Sequence, residues 1–386
     1  MTALFHPLVQ SWFTDTYGKP TAVQEAAWPF IAAGEHALAL APTGSGKTLT
    51  AFLAAISRFA LGTYPADQLS VLYVSPLKAL NEDIRRNLLE PIGALADYFA
   101  RRGAAFPDIR VETRSGDTPP AQRRRFLTHP PSILALTPES LAILLLNPRG
   151  RRALSTVKYL IIDEIHAVLG AKRGAFLSCQ IDRLALIAGE FQRVSLSATV
   201  RPPEAAAEFI AGLRSAGRDF EKRPIRIVAP PAEKALEFII DFPESPSPEN
   251  GTAGAERKAD RFGERYTILV DIIMERIAAN RPDAGASTGG AVLVFTDSRR
   301  RAERIAMLLN QRAGGAVAFA HHGSLSKEVR RAVELRLVRG ELPCVVATGS
   351  LELGIDIGAA AEVILAGSPG SVSAALQRIG RSGHGV

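Results

Sequence analysis

The segment APTGSGKT, residues 41–48, constrains this chain more than any other stretch. It follows a short apolar run, HALALA (36–41), and precedes a helix-like stretch, LTAFLAAISRFA. A glycine-rich turn between a buried strand and a helix lets successive backbone N–H groups face one anion. The helix N-terminus adds positive potential. This is a phosphate cradle of the P-loop kind. In it, Lys47 is placed to reach the β- and γ-phosphates of a nucleoside triphosphate, and the Thr48 hydroxyl to ligate Mg2+. Thr43, Gly44, Ser45 and Gly46 line the turn, and the first position of the usual pattern is Ala41 rather than glycine.

Such a cradle needs an acidic partner at the end of a neighbouring strand. YLIIDEIH (159–166) supplies one: an apolar run ends in two consecutive carboxylates, where α/β proteins bind ligands. Asp163 is expected to hold Mg2+, partly through water, and Glu164 to orient or deprotonate the attacking water. The competing reading has the pair cap a following helix. Together the two segments make hydrolysis of a nucleoside triphosphate, with Mg2+, the leading reaction.

Further apolar runs recur at VLYVS (71–75), SILALT (132–137) and VSLSAT (194–199). They resume at AVLVFT (291–296), VAFAHH (317–322), CVVATG (344–349) and AEVILA (361–366). Runs of this length separated by helical segments predict α/β architecture with mostly parallel sheets buried on both faces. The length of 386 residues suits two domains. PESPSPENGTAGAERKADRFGE (243–264) reads as an exposed linker or insertion without a core, and NRPDAGASTGG (280–290) as a second loop. We therefore expect a first domain over 1–225, an interdomain connection over 226–265 and a second domain over 266–386.

Apolar residues at 47% and charged residues at 22% exclude a mainly disordered chain. The net charge of +7 favours a polyanionic partner. Cys179 and Cys344, the two cysteines, sit amid apolar residues and are read as buried free thiols. No apolar run approaches the roughly 18–20 residues needed to span a bilayer. MTALFHPLVQSWF lacks the features of a secretion signal, so a cytoplasmic location without membrane contact is expected.

Taken in order, these residues resemble the motifs of superfamily 2 DEAD/DEAH-type helicases: APTGSGKT, DEIH (163–166), SAT (197–199), TGSLELGIDIG (348–358) and QRIGRSGH (377–384). The stretches IIDEIHAVLGAKRG (161–174), LSATVRPPEAAAEFIAG (196–212), HHGSLSKEVRRAVE (321–334) and SPGSVSAALQRIGRSGH (368–384) are most similar to the Lhr, or large helicase-related, branch. The resemblance implies two tandem RecA-like domains that hydrolyse ATP between them. It implies movement along single-stranded DNA or RNA, 3′→5′, with duplex unwinding in DNA repair. Gln24 matches the position that reads adenine. Phe5 or Trp12 would stack on the base, or would pack in the core. Ser197 and Thr199 match the segment that couples nucleotide state to domain closure. Gly354, Asp356 and Arg378 match nucleotide-contacting positions, and Arg381 matches the arginine finger. His384 stands where many superfamily members have arginine and where the Lhr branch commonly carries histidine.

The same resemblance gives a nucleic-acid track. Its first-domain candidates are Ser75 and Lys78 in SPLKAL (75–80), Thr137 in TPESL (137–141), and Gly116. Asp117 is disfavoured as a phosphate ligand by its charge and is expected to orient neighbours. The second-domain candidates are Ser298, Arg299, His322, Gly323, Ser324 and Thr348. The arginine runs AQRRRF (121–126), NPRGRR (147–152) and DSRRRAER (297–304) are by default solvated faces, though together they suit a salt-sensitive polyanion interface. Because the sequence stops at GRSGHGV (380–386), immediately after the last motif, the second domain is expected to be incomplete: a fragment, one half of a split gene, or a subunit whose missing regions a separate chain supplies. The alternative function is then an ATP- and nucleic-acid-binding module without autonomous unwinding.

Overall fold

The computed structural model describes residues 4–42, 45–75, 84–116, 118–198, 200–217, 219–231, 237, 239–240, 256–280, 290–351 and 360–382. The side chains of residues 85, 86, 256–265 and 373 are not described. The chain divides into two units, Met1–Ala232 and Glu233–Val386.

The first unit is built on a seven-stranded sheet. In chain order its strands are β1 (His36–Leu40), β2 (Val71–Val74), β3 (Val111–Arg114), β4 (Ile133–Leu136), β5 (Tyr159–Ile162) and β6 (Gln192–Ser197). After the exposed hairpin of β7 (Leu213–Ala216) and β8 (Asp219–Lys222), the seventh strand is β9 (Ile225–Val228). The spatial order is β3-β4-β2-β5-β6-β1-β9, with every neighbouring pair parallel. Alternation explains how apolar runs specify this sheet, because successive residues of a strand face opposite sides. Ala37, Val71, Tyr73, Tyr159 and Ile161 enter one core with Phe52 and Ile56. Leu38, Leu72, Val74, Leu160 and Ile162 enter the other with Leu141, Leu144 and Leu177. Phe5 and Trp12 lie in the first of these cores; the Phe5 ring meets Trp28 edge to face, and the Trp12 ring meets the exposed Tyr17 in the same way.

The second unit has a four-stranded parallel sheet in the order β11-β12-β10-β13, from β10 (Ala291–Phe295), β11 (Ala318–His321), β12 (Cys344–Ala347) and β13 (Ala360–Leu365). Val292, Val294 and Val346 face one core, and Leu293, Phe295 and Val345 the other.

Three expectations need correction. First, β9 pairs with β1, so the first unit runs beyond the expected end at 225. Second, residues 256–264, read as part of a coreless linker, belong to the helix Glu256–Ala279, whose charge-rich start masks its helical period. The rest of that segment up to 255, and residues 281–289, lie outside the described residues. Third, Cys179 is exposed, because it sits on the outer face of the helix Lys172–Ala188; Cys344 is buried in β12 as expected. No helix of the described residues is long and apolar enough to cross a membrane.

Candidate nucleotide and nucleic-acid sites

The C-terminal ends of β1, β6 and β5 lie side by side and carry the P-loop, Ser197 and Asp163–Glu164. Register sets this: Leu40 pairs with Ser197, and Ser195 with Ile162. Lys47 opens the helix Lys47–Ala60, whose preceding residue Gly46 has φ +78°. Its buried ammonium donates to the carbonyls of Ala41 and Pro42, both at 2.6 Å. Ser45 Oγ donates to Pro42 O at 2.7 Å, and Thr48 is half-buried on the first helical turn. Gln24, buried at 3% exposure, holds this loop from outside. Its Oε1 accepts from Thr21 N at 3.0 Å and its Nε2 donates to Gly46 O at 3.3 Å, while Thr21 Oγ1 donates to Ser45 O at 2.9 Å.

Asp163 is buried at the end of β5. Tyr73 Oη donates to its Oδ2 at 2.6 Å, and Glu164 N to its Oδ1 at 2.8 Å. Burial, then the neighbouring Glu164 charge, push its pKa up to about 6, against the pull of Tyr73 and Lys47. Glu164 is left-handed (φ 50°), the only such non-glycine residue among those described. That conformation is costly for a residue with a Cβ. His166 then reaches β6: its Nδ1 lies 3.0 Å from Ser197 Oγ and accepts from Ala198 N at 3.3 Å. Burial and the Lys47 charge lower the His166 pKa to about 4, so the ring is neutral at pH 7. The same Nδ1 lies 3.3 Å from Glu164 Oε2. The residues Asp163–Glu164 do precede a short 3-10 turn, Ile165–Ala167, but neither side chain caps it.

The other half of the same rim, β3-β4-β2, carries the first-unit nucleic-acid candidates. Arg114 and Val74 both pair with Leu136, so Gly116, Thr137 and Ser75 follow three adjacent strand ends. Gly116 is exposed. Thr137 is buried and caps the helix Pro138–Leu146, accepting from Ser140 N at 3.4 Å and donating to Ser140 Oγ at 3.1 Å. Ser75 is 2% exposed.

The second unit repeats the pattern at the ends of β10, β11 and β12. Ser298 caps the helix Arg299–Ala313 through Arg301 N at 3.3 Å. Arg299 Nη1 donates to Ser324 Oγ at 2.8 Å, joining two of these loops, with Gly323 exposed between. His322 Nε2 lies 2.7 Å from Glu303 Oε1, and Thr348 N donates to His321 O at 3.1 Å. Arg378 ends the helix Val372–Ile379 with its guanidinium 5.6 Å from the Phe295 ring centroid. Arg381 is buried in the turn beyond that helix.

Thr43, Gly44, Lys78, Asp117, Thr199, Gly354, Asp356 and His384 lie outside the described residues. Two further site residues went unnoticed as functional: Tyr73, hidden in VLYVS as one more apolar strand position, and His166, quoted only as part of DEIH. The usable signal for Tyr73 was a phenol at an inward position one strand away from the acidic pair.

A model of the DEAD/DEAH box helicase family matches residues 21–207, and one of the helicase conserved C-terminal domain matches residues 266–385. The chain is 40% identical to the Lhr helicase/probable uracil glycosylase of Mycolicibacterium smegmatis, over 99% of this chain and 26% of that protein. It is 42% identical to the ATP-dependent helicase Lhr-Core of Methanothermobacter thermautotrophicus, over 99% of this chain and 42% of that one. The structure of Mycobacterium smegmatis helicase Lhr bound to ssDNA and AMP-PNP matches 98% of this chain and 46% of its own, with a TM-score of 0.78 and 41% identity. The chain thus spans less than half of these relatives. Fold and site define a P-loop NTPase with two RecA-like domains. The chain belongs to the DEAD/DEAH box helicases of superfamily 2, in the Lhr branch.

Proposed function

We propose that this chain hydrolyses ATP at the P-loop of its first unit and uses the cycle to move along a nucleic-acid strand. The observation that carries the reading is the gathering of Lys47, Asp163, Glu164 and Ser197 at the ends of three adjacent strands. Lys47 compensates phosphate charge, and Glu164 orients or deprotonates water at the γ-phosphate. Asp163 and Thr48 fit Mg2+: a buried carboxylate whose pKa is raised by burial is stabilised by a cation beside it. Mg2+ would supply charge neutralisation on the phosphate oxygens. Ser45, Gly46, Thr43 and Gly44 surround the phosphates, Gln24 braces the loop, and Gly354, Asp356, Arg378 and Arg381 contribute from the second unit. Arg381 serves as the finger that reads the γ-phosphate, so that hydrolysis releases it.

Single-stranded DNA is the favoured track, since the M. smegmatis Lhr structure was determined with ssDNA. The track uses Ser75, Lys78, Gly116, Thr137, Ser298, Arg299, His322, Gly323, Ser324 and Thr348. Movement is 3′→5′ with duplex unwinding and a role in DNA repair. A second reading is a module that binds ATP and nucleic acid without unwinding alone.

Steady-state ATP hydrolysis with and without single-stranded DNA or RNA tests the proposal. Stimulation by the polynucleotide, lost in Lys47→Ala and Arg381→Ala, is expected. Strand displacement on 3′- and 5′-tailed duplexes then separates the motor from the module. A folded chain that binds ATP without hydrolysing it overturns the motor reading.

A further inference from the structure

The β3 end of the first sheet holds more positive charge than its pairing answers. Arg114 is the last residue of β3, and Arg123 stands on the helix Pro120–Thr128 that follows. Arg123 Nη2 donates to Gly116 O at 2.5 Å, which fixes it beside the exposed rim. Its Nε is buried without a hydrogen-bond partner, and so is Arg114 Nη1. Arg114 also lies 5.9 Å from the Phe126 ring centroid, so its plane is held. The two cations are mutual neighbours: after burial, the Arg123 charge is what lowers the Arg114 pKa.

No carboxylate among the described residues pairs with either arginine. Glu112, on the same strand face as Arg114, instead feels Arg125 and Arg110. Arg110 Nη2 donates to Pro130 O at 3.0 Å. The hydroxyls along this rim are poorly placed to hold a strand: Thr137 is engaged with Ser140, and Ser75 is 2% exposed. Like charges held together with buried N–H groups unanswered are costly unless an anion completes them.

We propose that Arg114 and Arg123 together bind one backbone phosphate of a single nucleic-acid strand at the β3 edge. This rests on the nucleic-acid reading above, and it moves the main grip of the first unit from the hydroxyls at 75 and 137 to this arginine pair. Two guanidinium planes suit a phosphate with several acceptor oxygens, and such a contact positions the strand without reading its bases.

The test is fluorescence anisotropy of a labelled oligo(dT) with the full chain at about 50 to 200 mM KCl. Arg114→Gln/Arg123→Gln is expected to bind about tenfold more weakly. Its plot of log affinity against log salt should flatten by about 0.7, the value of one phosphate on a single strand. Arg114→Lys/Arg123→Lys should keep the wild-type slope, because it keeps the charge. Arg101→Gln, an exposed arginine at a helix end, is the control and keeps both slope and affinity. A lowered melting temperature with an unchanged slope means the pair is structural and overturns the proposal. If the double glutamine variant does not fold, Arg123→Gln alone reads the same slope with the same two outcomes. Wild-type chain that binds no oligonucleotide removes the nucleic-acid reading itself.

Discussion

Tyr73 and Asp163 sit on adjacent parallel strands, and the phenol of one donates to the carboxylate of the other at 2.6 Å, both buried. Tyr73 pairs with Ile161, so Asp163 is its diagonal neighbour on the same sheet face. The bond holds one carboxylate oxygen in place and leaves the other to Glu164 N. Tyr73→Phe removes the donor and keeps the ring's packing on Phe52. The expected cost in stability is about 1 kcal/mol. The half-saturating Mg2+ for ATP hydrolysis should rise several-fold. An unchanged Mg2+ titration would leave the phenol with a packing role alone.

Asp163 and His166 respond to pH in opposite directions. Asp163 has its folded pKa raised from 3.8 to about 6, so between these values the folded chain holds more protons than the unfolded one. Stability therefore falls as pH rises through that window. His166 is lowered from 6.5 to about 4, so the unfolded chain holds more protons and stability falls as pH drops from 6.5. Displacements of this size are worth up to about 3 kcal/mol each. In the nucleotide-free chain, Asp163→Asn should gain on wild type as pH climbs from 4.5 to 7. His166→Gln should gain as pH falls over the same range. Urea unfolding at the two pH values measures both, and parallel curves for all three proteins would contradict the assignment.

Gly46 has φ +78°, and a Cβ there would meet Gln24 Nε2 at 2.7 Å. Gly46→Ala combines a backbone cost of roughly 1 kcal/mol or more with a clash against the residue that braces the loop. Thermal melting should drop and ATP affinity with it. Adding Gln24→Ala should recover the clash but not the backbone cost, so the double variant melts between Gly46→Ala and wild type.

The two thiols differ in environment. Burial pushes the Cys344 pKa up to about 12, whereas Cys179 is exposed. A thiol reagent at pH 8 should titrate one cysteine quickly in the folded chain and two after denaturation. Cys179→Ser should abolish the fast phase; a persisting one would place Cys344 in contact with solvent.

In the first sheet, the strands legible as apolar runs are the ones with neighbours on both sides. β1, β2, β4, β5 and β6 fall on the runs read at 36–41, 71–75, 132–137, 159–164 and 194–199. β3 (VETR) and β9 (IRIV) did not stand out, because they are the two edges of the sheet and carry half-buried or exposed polar residues. An edge strand has less apolar surface to cover, so its period is diluted by charge. The site was legible where chemistry restricts residue type, as at Lys47 and Asp163. It was not legible at Tyr73 or Arg114, whose roles come from strand order: β2 lies beside β5, and β3 at the edge, only after folding.

That strand order has a thermodynamic consequence. β2 leads into Ser75 on the proposed strand-binding rim, and two residues before that serine it bears the phenol that fixes Asp163. The two ligands would thus be read by one four-residue strand. If an oligonucleotide displaces that strand end, Asp163 feels it through one hydrogen bond. Linkage then demands reciprocity: the factor by which the oligonucleotide changes nucleotide affinity equals the factor by which nucleotide changes its own. A protein wired this way cannot sense one ligand while staying indifferent to the other.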